Sequence, residues 1–222
     1  AQLLTLALSP STYTPDGRRA LLRHLVLGSA PSLVWFTVLS TLLSLIVIRI
    51  VVVTSVSYGL SQYALEMVVR VLVLELIPLT AALFAALRCT IPFAAEVAAL
   101  RQAGTWGALQ RAGTDALAAE GLPRVLAGTF CALLLADISC GVTLVLAYLA
   151  VYGFSGAGFA AYTRTVGHVF DAGVSLVFGL KILAMALAVA LLPLASVLIA
   201  PARERPGSSA ELRGLVRMFF IL

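Results

Sequence analysis

The sequence has no asparagine, a single lysine (Lys181) and only two histidines, His24 and His168, among its 222 residues. Without asparagine there is no N-glycosylation acceptor. The histidines are too far apart for an HExxH metal site. A GxxxxGK[ST] phosphate loop is absent, so the chain does not hold ATP in that manner. Cys89, Cys131 and Cys140 lie in or beside apolar runs without CxxC spacing, and read as buried free thiols. Charge is scarce as well: 11% of residues are charged, against about 25% in a soluble domain. A soluble fold of this length could not hide 61% hydrophobic residues behind so little polar surface. Disorder, collagen, a coiled coil and a disulfide scaffold are excluded by the same figures. An all-α, polytopic membrane protein remains.

What is present is apolar runs of spanning length, about 20 residues each. Four are complete: about Pro31 to Thr54, Leu65 to Leu87 with Pro78 inside, Leu122 to Tyr152, and Gly173 to Ala200 with Pro193 near its end. Pro31 suits the first turn of its helix. A fifth run begins near Leu212 and reads as a truncated last helix or a short interfacial piece. No basic n-region with a short apolar core opens the chain, so a cleavable signal peptide is not expected. From Ser11 to Leu27, Arg18, Arg19 and Arg23 alternate with Leu21, Leu22 and Leu25. That spacing predicts an amphipathic helix lying in the interface; a disordered basic tail is the alternative.

The net charge of +5 does not mark a nucleic-acid binder, because the basic residues form no polar, aromatic-interleaved face. They sit between the apolar runs. Arg18, Arg19, Arg23 and His24 precede the first, Arg101, Arg111 and Arg124 separate the second from the third, and Arg203, Arg205, Arg213 and Arg217 follow the fourth. The first-to-second connection has no basic residue, and the third-to-fourth has only Arg164 and His168. The positive-inside rule then places the N-terminus, the long middle connection and the C-terminal segment in the cytoplasm.

Several charges fall within or at the ends of spans, where each costs a few kcal/mol or more and is a functional candidate. They are Arg49 in the first span, Arg70, Glu75 and Arg88 in the second, Asp137 in the third and Lys181 in the fourth. Snorkelling or a structural ion pair is the plainer account, above all for Arg70, Arg88 and Lys181 near span ends. Glu75 precedes Pro78 by three residues, and the proline leaves a backbone carbonyl unpaired. A polar spot facing a cavity or a partner helix is expected there.

The middle segment from Ala94 to Pro123 is too long for a turn and rich in helix formers. With Gly104, Gly107 and Gly113 as breaks, it reads as a cytoplasmic helix-turn-helix able to dock a soluble partner, or as a plain connector. The glycine-rich run Gly153 to Gly158 reads as a loop. No Ser-His-Asp arrangement can be assembled, and Asp137 has no second Asp in a span, so an enzyme is not expected.

Certain residues carry a resemblance over nearly the whole chain, densest from Leu74 to Gly128. They are Leu74-Glu75-Leu76-Ile77-Pro78, then Arg88, Ala95-Glu96, Arg101 and Asp115, then Pro123-Arg124-Val125-Leu126-Ala127-Gly128, Lys181, and Arg213 with Arg217. Together they resemble the MlaE (YrbE) permease subunits of MCE-associated ABC lipid transporters. The family's Arg before the Glu is Leu74 here, its Gly before the Pro is Ile77, and Gly104-Thr105 with the Ala108 region replaces its polar signature in the cytoplasmic helix. Lipid-headgroup contacts and the ATPase interface are expected to differ accordingly, as in a divergent member or one of several paralogues.

The resemblance implies about five transmembrane helices, the last possibly incomplete. Residues 1–30 would hold the interfacial helix and 31–222 the permease domain, with a cytoplasmic coupling region at 94–121. It implies a bacterial inner-membrane subunit with a cytoplasmic N-terminus. Its partners would be a second copy of itself, a separate ABC ATPase that carries ATP and Mg, a periplasmic MCE protein and membrane lipid, with no cofactor on this chain. Glu75, Arg49, Leu74 and Pro78 become candidates for a lipid cavity. Glu96, Arg101, Thr105, Leu109, Arg111 and Asp115 become candidates for ATPase coupling. Arg88, Arg124, Asp137 and Lys181 become structural or gating candidates. An ion-coupled secondary transporter of an apolar substrate using Glu75 and Arg49 is the alternative, although no inverted repeat is visible. A structural or assembly protein of the membrane is a third reading.

Overall fold

A computed structural model of the chain describes residues 15–60, 63–111 and 116–199, with side chains described from residue 33 onward except 109, 110, 118, 119 and 199. Among these residues all regular structure is helical. This is what hydrocarbon demands of an open chain, since each N–H and C=O must be satisfied within its own segment. Four helices are long and apolar enough to cross a membrane. The protein is a multi-pass membrane protein. The fifth span expected from Leu212 lies outside the described residues, as do Arg203, Arg205, Arg213 and Arg217.

Helix α1 runs unbroken over Pro15–Ser57. At 1.5 Å per residue it is about 64 Å long, roughly twice a bilayer's hydrocarbon thickness; its apolar part is Leu33–Ser57. The expected separate amphipathic helix is therefore helical over 15–27 but continuous with the first span, and Pro31 lies inside the helix rather than opening it. A proline within a helix forfeits one N–H bond, here toward the Leu27 carbonyl, and that loss does not end a helix whose other bonds persist.

Helix α2 covers Ala64–Gln102 and includes two π-helical stretches, Val69–Leu76 and Ala86–Thr90. The second span was expected to finish near Leu87, with the middle segment separate from Ala94. Instead the helix continues to Gln102, because Ala, Leu, Glu and Arg sustain it and Pro92 falls in the first turn of the α-helical stretch Ile91–Gln102. It stops where Gly104 adopts φ +76°, a left-handed conformation that glycine enters without strain. Helix α3 follows at Thr105–Arg111. Among the described residues, the expected helix-turn-helix is present with its turn at Gly104. Gly107 lies within α3 rather than breaking it, and Gly113 is outside the described residues.

A π-helical turn, Leu117–Gly121, leads into α4, Leu122–Tyr152, whose limits match the sequence expectation. The loop after Gly153 holds a short 3-10 turn and then a helix the sequence reading missed, α5 at Phe159–Val169. Its signal was there: Phe159, Tyr162, Val166 and Val169 recur at helical spacing. Helix α6, Ala172–Ile199, closes the described chain with Pro193 inside it.

The chain divides into two compact units, residues 33–81 with 133–184, and residues 1–32 with 82–132 and 185–222. In the first, Ile48, Val68, Val69, Leu72, Val73, Ile77, Ala147 and Val169 form the core. The buried face of α1 repeats every four residues as Phe36, Ser40, Ser44 and Ile48. Ser44 Oγ meets Thr143 Oγ1 of α4 at 2.8 Å, the hydroxyl-to-hydroxyl bond that joins helices where apolar packing against lipid gives no net drive. In the second, Ala94, Val97, Val125, Ala190, Leu194 and Val197 pack together. There Gly128 lets α4 approach α2: a Cβ at this position would stand 2.7 Å from Thr90 Cγ2. Gly128→Ala is expected to cost about 1–3 kcal/mol by overpacking and to lower the thermal midpoint in detergent. Thr90→Ser should restore most of the loss, and a failure of that rescue would show that the contact is not the cause.

Candidate functional site

The first cluster lies in the unit of residues 33–81 and 133–184. Pro78 has no N–H, and in the π-helical register, where Ile77 N–H bonds Leu72 O five residues back, the carbonyl it leaves without a backbone donor is Val73 O. Lys181, from α6, reaches the next carbonyl. Its Nζ donates to Leu74 O at 3.2 Å and also to Glu75 Oε2. The neighbouring Val73 O accepts from Cys140 Sγ of α4 at 3.6 Å. The Val69–Leu76 stretch thus presents two successive carbonyls to side-chain donors from two other helices. Pi-helical turns of this kind occur often at functional sites.

Beside the pair is a cavity of about 260 Å³ lined by Leu74, Glu75, Gly173, Val174, Val177, Phe178 and Lys181. Phe178 is held edge-on by Phe170, with ring centroids 5.8 Å apart. The walls are apolar apart from the ion pair. Lys181 is 29% exposed and Glu75 70% exposed in the single chain. One ammonium N–H and one carboxylate oxygen therefore remain open to an outside group. Of the cavity candidates, Glu75 and Leu74 line the space and Pro78 is buried behind it. Lys181, read from sequence as a structural or gating residue, stands in the same cluster. Arg49 is exposed on α1 and is not among the lining residues, and Asp137 is exposed on α4. Among the described residues neither has an ion-pair partner.

The second cluster lies in the other unit and is built on Arg124, the third residue of α4. Its guanidinium is buried and donates from Nε to Glu96 Oε2 at 3.2 Å. From Nη1 it donates to Glu120 Oε2 at 2.5 Å and to Glu120 O at 2.7 Å. Arg101 donates from Nη1 to the Val197 carbonyl of α6. Glu96 and Arg101 therefore bind α2 to α4 and α6, and Trp106 of α3 packs on the same core. Thr105 and Arg111 are exposed on α3, and Arg111 donates to its own helix at Gly107 O, 3.1 Å. The Leu109 side chain and Asp115 lie outside the described residues. Arg88 is exposed in the second π-helical stretch, with no ion-pair partner among the described residues.

Glu120 was not singled out from sequence, yet it lies four residues before Arg124 on a helical path. Cys89 and Cys131 are buried, as expected of free thiols, and touch at 2.8 Å between sulfurs. Cys140 is buried too. Among the described residues no group of three His, Cys, Asp or Glu is placed to hold a metal ion.

The family model described as permease MlaE matches residues 21–222. No curated protein matches the chain.

Arg124→Gln leaves Glu96 and Glu120 without their shared cation. Removing one partner of a fully buried pair costs about 3–5 kcal/mol. Here the two carboxylates are 51% and 34% exposed, so about 1–3 kcal/mol is expected after solvent screening. The thermal midpoint of the purified chain should fall clearly for Arg124→Gln and less for Glu96→Gln. Equal midpoints in all three proteins would mean that the cluster does not hold this unit together.

Proposed function

The chain belongs to the MlaE permease family, and we propose from that premise that it is the membrane subunit of an ABC-type lipid transporter. In this reading it works as two copies, is driven by a separate ATPase on the cytoplasmic side, and exchanges lipid with a periplasmic MCE protein from the bacterial inner membrane. One observation carries the lipid assignment: Lys181 joins Glu75 and the Leu74 carbonyl beside an apolar cavity within membrane-spanning helices. Apolar walls suit acyl chains, and a fixed ion pair with one free donor and one free acceptor suits a headgroup. An ion pair at the surface of an apolar span also calls for cover, from a bound headgroup or from a second copy enclosing the cavity.

The second cluster supports the drive. Helix α3 presents Thr105 and Arg111 outward while Trp106 anchors it to the core. An ATPase gripping α3 would pull on a unit riveted by Glu96–Arg124–Glu120 and by Arg101 to Val197. Helices α2 and α4 each begin in one unit and end in the other, so the backbone itself carries that pull toward the Glu75 cavity. The bound ATP and Mg belong to the partner chain in this scheme.

The test is reconstitution of the chain with the ATPase that co-purifies with it, in vesicles containing a fluorescent phospholipid. ATP-dependent lipid transfer is expected, and movement driven by a proton gradient without ATP would favour the ion-coupled alternative. Lys181→Met leaves the Leu74 carbonyl and Glu75 uncompensated and should reduce transfer at least tenfold, about 1.4 kcal/mol. Glu75→Gln keeps the carbonyl bond and should reduce it less. Photo-crosslinking of a lipid analogue at Val177 should fall in parallel, and crosslinking unchanged by both substitutions would remove this pair from the lipid site.

A further inference from the structure

The connection between α4 and α6 carries two nitrogen-bearing side chains, Arg164 and His168, and α5 sets both on one wall of a cleft. We propose that this cleft binds the phosphate of an anionic, hydroxyl-bearing lipid headgroup at the membrane surface, separately from the Glu75 cavity.

Helix α5 is held firmly enough to present them. Val169 is buried, Val166 packs on the core, and the Tyr162 hydroxyl donates to Leu144 O at 2.9 Å. Burial pushes the Tyr162 phenol above its ordinary pKa, so it stays a donor. The Tyr148, Tyr152, Tyr162 and Phe159 rings cluster at 5.1–6.5 Å. Aromatic groups of this kind favour the membrane–water boundary, where headgroups lie.

Arg164 and His168 are four residues apart and so share an edge of α5. Opposite them stand Tyr63 and Glu66 at the start of α2, enclosing with Thr165 a cleft of about 420 Å³. Glu66 is already engaged, accepting from Arg70 Nε at 2.9 Å. Arg164 has no ion-pair partner among the described residues, so the cleft keeps an excess of positive charge. The Thr165 hydroxyl donates to Ala161 O at 3.1 Å and offers only lone pairs. The donors facing the cleft are thus the Arg164 guanidinium, the His168 ring and the Tyr63 hydroxyl, and a phosphate has an oxygen for each. The acceptors, Glu66 and Thr165, suit hydroxyls beyond the phosphate. A free phosphate would leave most of this space to water, whereas a phosphoglycerol headgroup fills more of it.

The test uses the full chain in detergent, with bound lipid counted by native mass spectrometry during titration with phosphatidylglycerol, with diacylglycerol, or with inorganic phosphate as competitor. Arg164→Gln should weaken phosphatidylglycerol binding about tenfold, as loss of a charge-assisted bond does, with Arg164→Lys in between. Diacylglycerol binding should not change, and inorganic phosphate should compete only in large excess. Helix content by circular dichroism checks the fold. If Arg164→Gln loses helix, His168→Gln and Tyr63→Phe carry the test with smaller losses. Phosphatidylglycerol binding equal to wild type in the folded variants would overturn the proposal. So would competition by inorganic phosphate at parity, which marks a free-anion site, or loss of a protein partner with lipid binding intact. The difference between wild type and Arg164→Gln isolates this cleft, so an outcome here does not depend on whether lipid occupies the Glu75 cavity.

Discussion

Pro78 removes a backbone N–H from α2 where the carbonyls of Val73 and Leu74 turn to side-chain donors, and within hydrocarbon no water replaces it. An unmet carbonyl and an unmet charge are costly there in the same way. The Lys181 ammonium answers both, since one cation accounts for the Leu74 carbonyl and the Glu75 carboxylate. Residue 181 lies more than a hundred positions along the chain from residues 74 and 75, so this contact fixes how α6 meets α2 within their unit. Within the π-helical stretch, Val73 O and Leu74 O meet donors on α4 and α6.

This accounts for what could be read from the sequence and what could not. The unpaired carbonyl near Glu75 was legible, because proline chemistry is local. Its partner was not: Lys181 reads as a snorkelling residue near a span end until the fold brings it to residue 75. The limits of α4 were legible from a long apolar run between Pro123 and Gly153. The extension of α2 through Ala94 to Gln102 was missed because composition changes at the membrane boundary while helix propensity does not. Pro31 misled for the opposite reason, since a proline marks a helix start only where the residues before it fail to be helical. Helix α5 was hidden by the glycine-rich run preceding it, although Tyr162, Val166 and Val169 carry its periodicity. Ser44 and Thr143 pair across helices, and a sequence shows only that each sits four residues from another hydroxyl, Ser40 and Ser139.

With so few charges, their division of labour becomes informative. Arg124 is spent inside the protein on two carboxylates and a carbonyl, and Arg101 on a carbonyl of α6. These are internal ties, and substitutions there act first on stability. Among the described residues Thr105 and Arg111 make no comparable tie, and both are exposed on α3. The described candidates from this segment thus separate into residues tied to other helices and residues exposed on α3. Their spacing on the chain could not have separated them.

Two ion pairs in the unit of residues 33–81 and 133–184 make the same point by contrast. Arg70 and Glu66 are neighbours on one helix, both partly exposed, and such a pair contributes about 0.3–0.5 kcal/mol. Its effect is local: it occupies Glu66, and Arg164 across the cleft has no ion-pair partner among the described residues. Lys181 and Glu75 join two helices and leave a site that is neutral overall. One unit therefore holds a balanced polar site within its spans and a cationic one on α5. A neutral pair in an apolar wall imposes little charge preference on what enters it, whereas a guanidinium with no ion-pair partner among the described residues imposes a stronger one. Selection among lipids by headgroup charge would then rest with α5, and the Glu75 cavity would accept whatever amphiphile its walls can hold.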